Sequence, residues 1–158
     1  MGVGRDIERN DAIEAVFRAH GSRLWRALLL ATGNADVASE AVAEAFAQLI
    51  ARGSAVRDPG AWVWRAAFRL AIGDMQRKRT VVTITDDLPS DAPEQLVDLD
   101  RALRRLTAHQ RTAIILADYA GWSHAEIATV LRSAPATVAV HVYRARRRLR
   151  SLLEVHDD

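Results

Sequence analysis

Three groupings in this 158-residue sequence have residue types that could do chemistry. Ser123, His124 and Glu126 supply a hydroxyl, an imidazole and a carboxylate, the parts of a hydrolase. A serine followed three residues later by glutamate, just before an apolar run, is also a helix-capping box, and no strand-turn-helix pattern surrounds it. Glu40 and Glu44 stand one helical turn apart, as in helical di-metal sites, but no histidine lies at helical spacing to complete that motif. The five histidines, at positions 20, 109, 124, 141 and 156, show no ligand spacing. Without cysteine there is no disulfide, thiolate ligand or cysteine nucleophile. Gly2 and Gly4 precede neither a strand nor a following glycine and make no phosphate cradle. The sequence reads as a non-enzyme, with no metal or cofactor.

What remains is arginine. Of 22 basic residues only Lys78 is a lysine. Arg144, Arg146, Arg147, Arg148 and Arg150 crowd one stretch, and Arg65, Arg69, Arg77, Lys78 and Arg79 another. Guanidinium groups suit phosphate contacts. The first cluster covers too wide an arc for one salt-bridged stripe, and acidic partners at four-residue spacing are nearly absent until Glu154. A solvated face is the competing reading. Trp62 has the apolar helical spacing of a core residue. Trp64, two residues on, cannot share its face, and either covers the core rim or meets a nucleic-acid strand.

Net charge is only +2, because Asp86, Asp87, Asp91, Glu94, Asp98 and Asp100 load the middle with acid. The N-terminus lacks an apolar signal core, and the apolar stretch Ala27 to Ala31 falls far short of a membrane span. The expectation is a cytoplasmic protein with no membrane segment.

These side chains need helices to position them. Asp11 and Glu14 form a capping-box start for a helix carrying Ile13, Val16, Phe17, Leu24, Leu28 and Leu29 inward, with Gly21 either a weak point or a break. Gly33-Asn34 ends it. A second helix runs from about Asp36 to Ala51, with Val42, Phe46, Leu49 and Ile50 inward. Asp58-Pro59 opens a third toward Arg79. The β-branched run Val81 to Thr85 has no partner strand and reads as extended linker, followed by an acidic Pro-containing tether. A helix over about 95–106 comes next, then capping boxes at Thr107-x-x-Gln110 and Ser123-x-x-Glu126. The last helix begins after Ser133. The fold class is all-α: two small helical domains, at 8–80 and 95–153, joined by a flexible acidic linker at 81–94. The second is a helix-turn-helix.

That layout resembles a bacterial group IV sigma factor, the extracytoplasmic-function (ECF) class with only region 2 and region 4. The resemblance spans about Asp11 to Leu153. Region 2 is matched by Gly33 to Phe46 (GNADVASEAVAEAF), Asp58 to Arg65 (DPGAWVWR) and the basic Arg77-Lys78-Arg79. Region 4 is matched by Leu106 to Arg111 (LTAHQR), Gly121 to Ala128 (GWSHAEIA) and Thr137 to Leu149 (TVAVHVYRARRRL). The resemblance implies two principal partners, RNA polymerase core enzyme and promoter DNA, with an anti-sigma factor as a further candidate. It places Glu40, Glu44 and Phe46 on the helix that docks on core polymerase. Arg52 and Arg57 bound the loop that captures a flipped base of the −10 element. Trp64, Arg65, Arg69, Arg77, Lys78 and Arg79 would face the melted strand. Thr137, His141 and Arg144 would lie at the −35 major groove, with Arg147 and Arg148 on phosphates.

The chain departs from the family pattern at defined positions. Asp-Leu-Val-Gln-Glu becomes Glu40-Ala-Val-Ala-Glu44, and Arg69 and Gly73 replace an asparagine and an aspartate. Lys-Ser-Arg after Thr-Val becomes Ala139-Val140-His141. A sigma-like co-regulator or decoy without normal promoter recognition is therefore the alternative function. A self-standing helix-turn-helix repressor is the weaker third, for want of a dimerisation element.

Overall fold

The computed structural model describes residues 2–77 and 93–154, all helical or connecting. The extended run and acidic tether expected at 81–94, together with Lys78 and Arg79, lie almost wholly outside the described residues. Helix α1 (Val3–Thr32) is continuous. It begins well before Asp11, so no capping box starts there. Glu14 instead takes Arg18 at 2.6 Å and Asp6 takes Arg9 at 3.1 Å, i,i+4 and i,i+3 pairs that support an exposed N-terminal half. Gly21 is buried without breaking the helix. The C-terminal half supplies the core through Leu24, Ala27, Leu28, Leu30 and Ala31. Gly33 closes it at φ +66°, where a side chain would be strained, and donates its N–H to Leu29.

Helix α2 (Ala35–Arg52) starts at Asn34, whose Oδ1 accepts from Val37 N–H at 3.1 Å. Its buried stripe is Val37, Ala38, Ala41, Val42, Ala45, Phe46 and Leu49. Ile50, expected inward, is 50% exposed, because it stands about 100° round the helix from Leu49. Phe17 is likewise 53% exposed, its ring meeting Phe46 edge-on at 5.2 Å. A 3-10 turn at Gly53–Ala55 leads to α3 (Pro59–Arg77). Asp58 Oδ1 accepts from Ala61 N–H, with Pro59 in the first turn, as Asp-Pro predicts. Alanines on both partners (38, 41 and 45 on α2, 67 and 71 on α3) are buried and let the helices approach closely. Gly60 is a close-approach glycine: a Cβ there would sit 2.7 Å from His20 Nε2 on α1.

The second unit comprises α4 (Glu94–Leu103), α5 (Ala108–Ile114), α6 (His124–Leu131) and α7 (Pro135–Glu154). Both expected capping boxes are present, on Thr107/Gln110 and Ser123/Glu126, each worth on the order of 1 kcal/mol. A π-helical turn at Ile115–Tyr119 extends α5. Thr112 to Leu116, which run from α5 into this turn, are all buried. Helix α7 buries Val138, Val142 and Ala145 against α5 and α6.

The two helical subdomains pack on each other. Helix α5 and its π turn meet α1, and α6 meets α3. At this seam the Arg23 guanidinium donates to the Tyr119 carbonyl at 2.6 Å and lies over the Tyr119 ring, and Phe68 of α3 meets Trp122 at 6.4 Å.

Candidate nucleic-acid interface

Helix α7 owes its position to α5 and α6, which grip its apolar stripe. That fixes which residues it presents. Thr137, Arg144, Arg147 and Arg148 are exposed, as are Val140 (44%) and Tyr143 (63%). Arg146 behaves differently. Its Nε and Nη2 reach Asp118 of the π turn at 3.0 and 2.5 Å, a two-pronged ion pair that also holds the guanidinium above its ordinary pKa, chiefly through the hydrogen bond. The acidic partner was invisible in sequence because it comes from another helix rather than from four residues along.

His141, expected to face DNA, is instead half-buried. Its ring lies 5.6 Å from that of His109 on α5, and its Nδ1 is buried without a hydrogen-bond partner. Burial, then His109 and Arg144, pushes its pKa below 6.5, so it carries little charge at neutral pH. At this position α7 turns His141 partly toward its own unit. Val140 and Tyr143, which sequence reasoning passed over, hold the exposed positions. The signal that could have found them is helical phase, since 137, 140, 144 and 147 share a face while 138, 142 and 145 fill the core.

In the first unit, Trp64 does not reach solvent. It is 6% exposed, donates its Nε1–H to His20 Nδ1 at 3.3 Å and stacks on Phe68 at 6.1 Å. The expected roles of the two tryptophans are thus exchanged. Trp62 is the half-buried one, with the Arg52 guanidinium 5.4 Å from its ring centroid. Trp62, Arg52 and Arg69 line a groove of about 530 Å³. Arg57 is exposed on the preceding loop, Arg65 is half-buried, and Arg77 is the last residue of α3. The loop and α3 arginines thus lie on neighbouring elements, apart from the α7 set.

A separate surface of the α2–α3 pair is acidic. Glu40, Glu44 and Asp74 border a shallow cleft floored by Val37, Ala41 and Ala71. Asp74 is an addition the sequence did not single out, because it comes from α3 rather than α2. Glu40 and Glu44 are exposed, whereas Phe46 is buried under Phe17. Phe46 therefore supports this helix from inside, on the opposite side from the exposed Glu40 and Glu44.

A charge cluster lies between these surfaces. Asp100 of α4 is 8% exposed and accepts from Arg104 Nε at 2.9 Å. Arg111 of α5 lies in the same field: its pKa is lowered first by burial and then by Arg104, with Asp100 acting in the opposite direction. The Arg104 guanidinium sits beside Gly33 at the carboxyl end of α1, where a cation meets the helix dipole favourably.

Two packed helical units, one of them a helix-turn-helix whose last helix exposes arginine, define a DNA-binding protein of the helix-turn-helix class. Residues 96–149 match the family model "Sigma-70, region 4". The chain is 35% identical over 159 residues to the ECF RNA polymerase sigma factor SigL of Mycobacterium tuberculosis, covering 90% of this chain and 89% of SigL. It is 29% identical over 175 residues to SigM of the same organism, covering 97% and 89%. Among solved structures, the sigma factor RpoE of Bartonella quintana, crystallised with the anti-sigma factor NepR, has a similar fold, with TM-score 0.72 at 24% identity over 94% of this chain and 98% of RpoE. The chain belongs to the ECF RNA polymerase sigma factor family, and is a transcription factor rather than an enzyme. Among the described residues no helix is long and apolar enough to cross a membrane.

Proposed function

We propose that this protein is an alternative sigma factor that binds core RNA polymerase and directs initiation through −10 and −35 contacts. The observation that carries the reading is the division of charge on the first unit. One surface of α2–α3 holds Glu40, Glu44 and Asp74, and another holds Arg52, Trp62 and Arg69. An acidic surface suits a basic protein partner, and electrostatic complementarity of this kind speeds and orients encounter. A basic groove with an indole wall suits a single strand, whose phosphates and bases need those two things. The exposed face of α7, with Thr137, Arg144, Arg147 and Arg148, suits duplex DNA. In this reading the units at 8–80 and 95–153 address separate promoter elements, with 81–94 as their tether. An anti-sigma partner is supported by the RpoE relative, which was crystallised with one.

Reconstitution with core polymerase on a randomised promoter library tests it. Productive initiation with a recovered two-part consensus is the expected result. Polymerase binding without initiation favours a co-regulator or decoy, the reading supported by a recognition helix that offers Val140 where a charged contact would serve. Failure to bind core polymerase refutes both.

A further inference from the structure

The arginine-lined groove is not made by the first unit alone. Its wall includes Val130, Leu131 and Arg132 from the end of α6, facing Arg52, Trp62 and Arg69. Three arginines from two units thus line one space, and among the described residues no carboxylate lines it. Among the described residues none of the three is in an ion pair, and the Arg52 guanidinium lies over the Trp62 ring. Bringing three like charges together without a counter-charge is unfavourable unless an anion joins them.

Arg132 adds an independent observation. It caps α6 at φ +52°, ψ +51°, the left-handed region, and among the described residues it is the one non-glycine residue with positive φ. Glycine or asparagine is the usual choice at such a cap, because a Cβ there is strained. Arg132 thus joins a strained backbone to a long cationic side chain on the rim of the basic groove, and residues held in such conformations cluster at ligand sites.

We infer that the groove is a binding site for a nucleotide carrying two or more phosphates, held by Arg52, Arg69 and Arg132 with its base against the Trp62 wall. The volume lies within the range of small-molecule sites. Arginine forks match phosphate oxygens in pairs, and an indole with neighbouring aliphatic side chains accepts a base face. Because the ligand needs both units at once, it binds the packed arrangement alone and stabilises it by mass action. It would also compete with a nucleic-acid strand for Arg52 and Arg69, although the site stands on the free protein whether or not that strand binds there.

Titration calorimetry and thermal melting of the full-length protein, without DNA or polymerase, test this with ADP, pyrophosphate and adenosine. ADP is expected to bind and raise the melting temperature, pyrophosphate to bind more weakly, and adenosine not to bind detectably. The decisive variant is Arg132→Gly, which relieves the backbone and so keeps or raises the unliganded melting temperature. It is expected to weaken ADP binding roughly tenfold or more, with Arg132→Lys restoring part of the loss. Absence of ADP binding would overturn the inference. So would equal affinity of Arg132→Gly and the parent for ADP, or equal affinity of the parent for ADP and pyrophosphate.

Discussion

The α7 arginines separate into two kinds, and the separation can be measured. Among the described residues Arg144 and Arg147 are exposed with no carboxylate partner, while Arg146 is tied to Asp118 by two hydrogen bonds. If the exposed pair contacts phosphates, each contact releases about 0.9 counterion on B-DNA. Replacing both with alanine should then reduce the slope of log affinity against log salt by roughly 1.8. Between 50 and 200 mM salt that amounts to a loss of salt sensitivity of about one decade in affinity. Arg146→Ala should behave oppositely. The slope should barely change, but the second unit should lose a clasp worth up to about 1 kcal/mol, a figure kept small because the pair is 52% and 44% exposed and screened by solvent. Fluorescence anisotropy of duplex DNA across a salt series, with denaturant melts of each variant, reads both quantities. An unchanged slope in the double variant returns Arg144 and Arg147 to a merely solvated face. A slope loss in Arg146→Ala matching that of Arg144→Ala would show that the ion pair gives way on DNA, and the division would be wrong.

Removing Asp100 leaves Arg104 and Arg111 facing each other in a largely buried place, so Asp100→Ala should destabilise the protein by up to about 3 kcal/mol in chemical unfolding; a loss under 1 would show that water already screens the cluster. His141 has a pKa below its ordinary 6.5, so the folded form holds fewer protons than the unfolded form just below that pH. Its contribution is present above about pH 6.5 and is lost as pH falls through the lowered value, so melting temperature should drop on acidification and His141→Gln should flatten the profile. An identical profile in the variant would assign the acid sensitivity elsewhere. Reversing Glu40 and Glu44 to lysine should leave circular dichroism and melting nearly unchanged while abolishing co-purification with core polymerase; a normal complex would remove the acidic cleft from the docking surface.

Much of the architecture was legible because it is written in short-range signals. Asp58, Thr107 and Ser123 each start a helix through a side-chain oxygen within three residues, as Asn34, expected only to end α1, also does for α2, and apolar spacing gives the buried stripes of α2 and α7. The misread positions depend on distant partners. Trp64 is inside because His20, far away in sequence, accepts its indole N–H and Gly60 leaves room for that ring. Arg146 is paired because a π turn brings Asp118 to it. No local pattern reports either event. Helix α1 starts earlier than its sequence signals for another reason: residues 3–12 are all exposed, so its first turns lack the apolar stripe on which a periodicity argument depends.

Burial also sorts the departures from the family pattern by physical meaning. Ala41, where the family has leucine, is 4% exposed and belongs to the alanine stripe of α2. Ala67 and Ala71 on α3 are also buried, so small residues line the α2–α3 seam, and Ala41, on the floor of the acidic cleft, deepens that cleft where leucine would fill it. Ala43 is exposed on the acidic cleft, so the missing glutamine there does alter the surface a partner would meet. On α7 the same test divides three adjacent residues. Ala139 and His141 are half-buried, while Val140 points out beside Thr137 and Tyr143. The exposed group is a branched aliphatic side chain, which can meet a thymine methyl but offers nothing to a guanine or a phosphate. Specificity from this helix would then rest on Thr137, Val140 and Tyr143, with affinity from the arginines one and two turns further along. Weak, A·T-leaning recognition of that kind needs a second contact elsewhere on the DNA, which the proposed docking of both units on polymerase would supply.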